Sequence, residues 1–494
     1  MTEMDRMNTR QKTRTAVVIG LAAAVLLVPP SLKGQEDETA AAGKPTTAQP
    51  KLALELGRPF GDNAVFQQQI PVPVWGSSQA GAKITIVFGS QTKAARADKD
   101  GKWKTTLDPM PADKLTSVSE APQGRILTIV AELAGEKATN TIRNILIGEV
   151  WLCAGQSNMA GKLGGGAGRS LPDGSILTGD YPALRQMVAP SSAPWLVCMP
   201  ETVGQFKKVC FYFARRLQQD IRVPIGIINA AVGGSRIETW LNQAPFETGQ
   251  NYHALIAPLA GYGLRGTVWY QGESNEKDGR GYLPKLRSLI LGWREVWGQG
   301  DFPFYFVQLP GIGTSRGDNP AGGDGRAEIR QAQFEALAVT NTGMAVTIDV
   351  GDVKEHPPNK YDTGVRLARL ALHNDYGFKN LVPTGPLYKA HRVEGDTIRV
   401  YFTNAEHGLM LAEKKGFQPP VETAEAKLEW LSLRGEDGVW HRADGTIAGS
   451  DLVVSCEDVK RPVAVRYAYT THPTGSLLYN KDGLPASPFS TCGY

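Results

Sequence analysis

A chain of 494 residues is too long for one ordinary hydrophobic core, and its 41% apolar fraction with ten Trp excludes global disorder, so two or three folded domains are expected. The formal net charge is +4, but the first 34 residues carry five basic and two acidic side chains, which leaves the remainder nearly neutral. That balance removes the electrostatic case for nucleic acid or an anionic membrane surface as partner, because no large basic face is implied.

Arg6, Arg10, Lys12 and Arg14 precede an apolar run from Ala16 to Val28, which Pro29 and Pro30 close. The run is too short to span a bilayer comfortably, so residues 1–34 read as an export signal, with an uncleaved membrane anchor as the alternative, and the chain as periplasmic, cell-surface or secreted. Residues 35–50, "QEDETAAAGKPTTAQP", show no apolar period and read as a linker. From 51 to 147 short β segments ("PVPVWG", "AKITIVFG", "RILTIVAEL", "NTIRNILIG") are cut by turn residues, the texture of a small β-sandwich-like domain.

The texture changes at 148. The apolar strand "NILIGEVWLCA" is followed by helical spacing in "QFKKVCFYFARRLQQDI", and then strand and helix alternate. "VPIGIINAAVGG", "RGTVWYQGESN", "PFYFVQLPG" and "GMAVTIDVGD" read as strands; "LPKLRSLILGWREVW", "AEIRQAQFEALAV" and "NKYDTGVRLARLALHNDY" read as helices. Continuous apolar strands alternating with helices predict an α/β domain over 148–383, a parallel sheet with helices on both faces. Between the first strand and the first helix lies a glycine-rich stretch that reads as a loop over the crevice. Beyond it, 384–494 returns to β texture ("TIRVYFT", "DLVVSC", "VAVRYAYT") and reads as a second β-sandwich-like domain. The five cysteines are odd in number and lack CxxC spacing, so no metal site or cofactor is implied and at least one thiol stays unpaired, Cys153 being the buried candidate.

In an open α/β sheet the ligand crevice lies beyond the carboxyl ends of the strands. Four polar segments stand there: "GQSNM", "GGS", "QGESN" and "GDVKEHPPNK". They hold the parts of an acyl-transfer site. Ser157 is a candidate nucleophile that needs a base, and His356 is the histidine of the seven that lies just past a sheet strand. Gly233 and Gly234 bring backbone N–H groups close to a developing oxyanion, and the side-chain amides of Gln271 and Asn158 are further donors. Glu273, Asp352 and Glu355 compete for the carboxylate that holds the imidazole.

With those residues in view, the chain resembles the sialate O-acetylesterase-like proteins of the SGNH hydrolase superfamily. "GEVWLCAGQSNM", "VPIGIINAAVGGSRIETW", "RGTVWYQGESN" and "TIDVGDVKEHPPNK" are similar to that family's segments in the same order, and the β flanks are similar too. The resemblance implies an SGNH-like parallel sheet and a metal-free serine esterase that removes O-acetyl groups from sugars through an acetyl-enzyme on Ser157. It implies His356 as base, Gly233 or Gly234 with Gln271 as oxyanion donors, and Glu273 as the acid. Many SGNH enzymes place an Asp three residues before the histidine, where this chain has Val353, so Asp352 stays beside Glu273 as a candidate. The expected partner is an acetylated glycan; an acetyl xylan or hemicellulose esterase of the same mechanism and a catalytically weak glycan-binding protein are the alternatives.

Overall fold

The strand that leads to Ser157 is 20 residues long, Glu136–Gly155 (β1), and its two halves answer to two different environments. The structure is a computed structural model that describes residues 52–190, 194–314 and 317–492; the expected export signal and linker, 1–34 and 35–50, lie outside the described residues. The first half of β1 pairs antiparallel with Arg125–Leu133, and its side chains are largely exposed or half-buried. From Ile145 onward every residue is buried, as a strand covered on both faces requires. The expected boundary at 147/148 therefore falls inside one continuous strand rather than in a linker.

The buried half of β1 is the centre of the main sheet. The other strands in chain order are Tyr181–Val188 (β2), Leu196–Cys198 (β3), Ile225–Ala231 (β4), Gly266–Tyr270 (β5), Phe304–Gln308 (β6) and Thr342–Val346 (β7). They lie in the order β3-β2-β4-β1-β5-β6-β7, and all neighbours are parallel except β3 with β2. On one side of β1 the chain lays down β2 and β3 and then inserts β4 between β2 and β1; it then crosses to the other side and adds β5, β6 and β7 in order. The end of β1 is thus a topological switch point, where an open sheet leaves its crevice.

Helices cover both faces, as expected. Trp151 packs against Phe213 of α2 (Lys208–Ile221), whereas Trp269, level with Ala154, packs against Trp293 of α3 (Tyr282–Trp297). Residues 151 and 154 alternate in face, so α2 and α3 lie on opposite sides. α5 (Lys360–Asp375) packs beside α2, and α4 (Ala327–Glu335) beside α3. Before the main sheet, Leu54–Leu56, Val72–Ser78 and Lys102–Leu107 form a three-stranded antiparallel sheet. After it, residues 387–490 form three small antiparallel sheets, two of four strands and one of three. All five cysteines are unpaired, with Cys153, Cys198 and Cys210 buried.

At the other end of the main sheet Glu149 is fully buried in β1 and accepts hydrogen bonds from Gln67, Gln68 and Arg265, the last through two nitrogens at 2.8 and 3.0 Å. This cluster ties the residues before β1 to the start of β5. Removing the carboxylate strands a guanidinium and two amides, a loss of about 3 kcal/mol for a broken buried pair. Glu149→Ala is expected to lower the thermal midpoint by several degrees, read by circular dichroism; a midpoint equal to that of the unaltered protein would mean the cluster does not hold the sheet.

Candidate active site

Gly155 is where the core ends. Its φ is +141°, and a Cβ built there would lie 2.1 Å from the carbonyl oxygen of Tyr270, so only glycine lets β1 finish this close to β5. Gln156 N then donates to that same carbonyl at 3.0 Å, and the chain turns at once into the single turn Ser157–Ala160 (α1). The turn lifts Ser157 to the carboxyl edge of the sheet, half-buried and open to the crevice.

His356 arrives from the other side of the chain. After β7 and one short turn, Ile348–Val350, residues 351–359 form a loop that carries the imidazole to Ser157, with Nε2 2.8 Å from Oγ. Several contacts fix that loop. Gly351 lies so close to the ring of His472 that a Cβ would come within 2.8 Å of it. Asp352 Oδ1 accepts the Lys354 N–H at 2.9 Å, and Asn359 caps α5 by accepting from Asp362 N. Lys360 Nζ donates to Pro357 O at 2.7 Å; burial pushes its ammonium down to about 8.

Of the candidate carboxylates, none hydrogen-bonds His356 among the described residues. Asp352 serves the loop backbone, and Glu355 points to Arg326, 3.7 Å away. Glu273 is buried. Its Oε1 accepts from Asn158 Nδ2 at 2.5 Å, and the same nitrogen donates to Glu355 O at 3.2 Å, the carbonyl just before His356. Glu273 Oε2 has no partner among the described residues, and neither does Nδ1 of His356.

The expected oxyanion donors separate into two kinds. Gly233 stands beside the nucleophile, since a Cβ built on it would be 3.9 Å from the Ser157 Cβ. The N–H groups of Gly233 and of Gly234, whose φ is +68°, donate to no other group of the described residues. Gln271 is different: it is fully buried, its Nε2 faces Gln156 Oε1, Ser235 O and Asn275 Oδ1 at 3.1, 3.1 and 2.8 Å, and its Oε1 accepts from Tyr282. Two amide hydrogens shared over three acceptors leave none for an oxyanion. The Asn158 amide hydrogens are spent in the same way, on Glu273 and Glu355. The structure thus brings Ser157, His356, Gly233 and Glu273 to one place, while Gln271 and Asn158 brace it from below.

Gln156, Arg326, Lys360 and His472 also shape the site and do not stand out in the sequence. For Gln156 a signal exists, a buried-strand neighbour placed directly before the serine; its Oε1 also accepts Ser274 N at 3.2 Å. The other three are polar residues in loops, at a helix start or in a distant β segment, with no local pattern. Two loops are clamped by charge as well: Arg236 and Lys285 pair with both Glu238 and Asp278 at 2.6 to 3.0 Å, joining the segment after Gly234 to the segment after Glu273.

Residues 147–369 match the family model described as carbohydrate esterase, sialic acid-specific acetylesterase. The human and Pongo abelii proteins named sialate O-acetylesterase are each 28% identical to the chain, over 84% of it and 88% of their own length. The crystal structure of a carbohydrate acetylesterase from Xanthomonas citri superimposes with a TM-score of 0.76 and 30% identity, covering 90% of this chain and all of that one.

The clamp gives the fold a pH dependence. Partial burial pushes the Glu238 and Asp278 carboxyls up, but hydrogen bonds from Lys285, Asn275 and Arg236 outweigh it and hold each at about 2. The unfolded values are near 4, so the stabilisation is complete above about pH 4 and is lost as pH falls towards 2. Lys285→Met removes a cation from both carboxylates and is expected to move the acid-unfolding midpoint to higher pH, followed by tryptophan fluorescence; an unmoved midpoint would show that the clamp contributes nothing.

Proposed function

Because the chain belongs to the sialic acid-specific acetylesterase family of carbohydrate esterases, we propose that its carbohydrate O-acetylesterase activity runs through an acetyl-enzyme on Ser157. The observation that carries this reading is the 2.8 Å contact between Ser157 Oγ and His356 Nε2 at the switch point of the sheet. A hydroxyl at that distance from an imidazole is placed for deprotonation.

Ser157 Oγ attacks the acetyl carbonyl carbon, and its proton passes to His356 Nε2. The negative oxygen of the tetrahedral intermediate faces the backbone N–H of Gly233, which stands beside Ser157 and donates to no other described group, a type of stabilisation worth roughly 3 kcal/mol per donor. Collapse breaks the bond to the sugar oxygen, which takes the proton from His356 and leaves as an alcohol. Water then attacks the acetyl ester with His356 again as base; acetate departs and the proton returns to Ser157.

Glu273 is the carboxylate we assign to His356. It has a free buried oxygen in the same site as the unpartnered Nδ1, and catalytic hydrogen bonds that are loose without substrate tighten in the reacting complex. Acetylated sialic acid is the substrate suggested by the relatives' names. The basic-then-apolar segment at 1–34 supports export, and hence a glycan outside the cytoplasm as target.

Ser157→Ala and His356→Ala are each expected to reduce acetate release by about 10³-fold or more, with no acetylated protein seen by mass spectrometry in Ser157→Ala. Activity of Ser157→Ala equal to the unaltered protein would end the acetyl-enzyme reading. Glu273→Gln should cost at least about 10²-fold in kcat, while Asp352→Asn should cost less than about tenfold, because an amide oxygen still accepts the Lys354 N–H. The reverse order would assign the acid to Asp352.

A further inference from the structure

Beside Ser157, on the same carboxyl edge of the sheet, a cavity of about 310 Å³ is lined by Lys162, Gln186, Gln205 and Lys207 with the apolar Met187 and Leu196. Its size is at the lower end of small-ligand sites. Its position follows from register: Val188, at the end of β2, pairs with Asn229 of β4, which pairs with Cys153 of β1. Two strand spacings, about 10 Å, thus separate the end of β2 from the end of β1. That is the width of one sugar ring with its substituents.

The cavity is cationic without a counter-ion. Lys162 and Lys207 face each other across an isolated bridge, and neither pairs with a carboxylate among the described residues. Lys207 Nζ donates to Ala160 O at 2.9 Å, the last residue of the turn that begins with Ser157. Burial pushes the Lys207 ammonium down and the neighbouring Lys162 pushes it further, so the arrangement weakens the free protein. Gln186 adds a second sign of a ligand. It is only 2% exposed, its Oε1 accepts the Lys207 N–H at 2.9 Å, and its Nε2 donates to no group of the described residues. Two ammonium groups and one amide donor, with no acid facing them, match the two oxygens of a carboxylate.

We propose that this cavity receives the carboxylate of an acidic acetylated sugar while the ester sits on Ser157, which makes Lys162, Lys207 and Gln186 the residues that select anionic over neutral sugars. The inference rests on Ser157 being the esterase nucleophile. It separates substrates by charge: a sugar acid is held at both ends, whereas an acetylated neutral xylo-oligosaccharide is held only at its ester.

The test compares kcat/KM for an O-acetylated sialic acid with that for its carboxamide, which keeps the shape and removes the charge. The unaltered protein is expected to prefer the acid by about tenfold or more, the size of one charge-assisted hydrogen bond. The preference should shrink with added salt, because part of it is Coulombic. Lys162→Gln and Lys207→Gln should each bring the acid-to-amide ratio towards one, and Lys162→Arg should retain it. Lys162 is exposed, so its variants carry the test if loss of the Lys207 brace impairs folding. A ratio of one in the unaltered protein, or a ratio that Lys162→Gln leaves intact, overturns the proposal while the esterase reading stands. Failure to release acetate from either sugar and from 4-nitrophenyl acetate overturns the esterase reading itself.

Discussion

The close approach of Gly155 to Tyr270 is the constraint on which the site depends. A strand buried on both faces cannot shift along its axis without moving every side chain packed on it, so its end is fixed by that packing. The carbonyl of Tyr270 accepts the next N–H, that of Gln156, and the chain has no room to drift before it turns. Ser157 inherits its position from this geometry. The histidine does not need to be near in sequence; it needs only to leave the same sheet at the same edge.

What the sheet does not fix, a polar layer does. Gln271 has all of its amide capacity engaged, and Gln156, Asn275 and Tyr282 are its partners, so the floor of the crevice is a closed set of hydrogen bonds. A closed network in a low-dielectric interior is rigid, because each broken bond leaves a buried group without a partner. Asn158 extends the layer upward, joining the buried Glu273 to the backbone carbonyl before His356. The loop that carries the base is therefore referenced to the same floor as the nucleophile.

Much of this was legible in the sequence, for a physical reason. Apolar runs ending in small or polar residues identify strand ends, and strand ends of a parallel sheet share one crevice; Ser157, His356, Gly233 and Glu273 were found by that rule. The roles of Gln271 and Asn158 were not legible. Both are amides at strand ends, and whether an amide faces the crevice or the core depends on acceptors supplied by Ser235, Asn275 and Glu355, which are remote in sequence. The texture change at 147/148 lies inside β1 for a related reason: it marks a change of covering, from one face to two, and β1 passes through that change without a break. Lys162 and Lys207 carried no signal, since 45 residues separate them and only the return of the chain brings them together.

The unpaired atoms say something about where the protein tolerates cost. Asn158 Oδ1 and Glu273 Oε2 are both buried without partners among the described residues, and both stand within the site. A fold that satisfies Gln271 completely leaves these two open a few residues away. Buried acceptors without donors raise the energy of the free protein, and the cost is recovered only when a donor arrives. His356 already carries such a donor on Nδ1 in the neutral tautomer whose Nε2 faces Ser157, and the N–H becomes a stronger donor once Nε2 has taken the proton and the ring is an imidazolium. The carboxylate oxygen fixes the tautomer while the histidine is neutral and attracts it more strongly when it is charged, so the interaction strengthens as the reaction proceeds, which is the condition for lowering the barrier rather than merely holding the ground state.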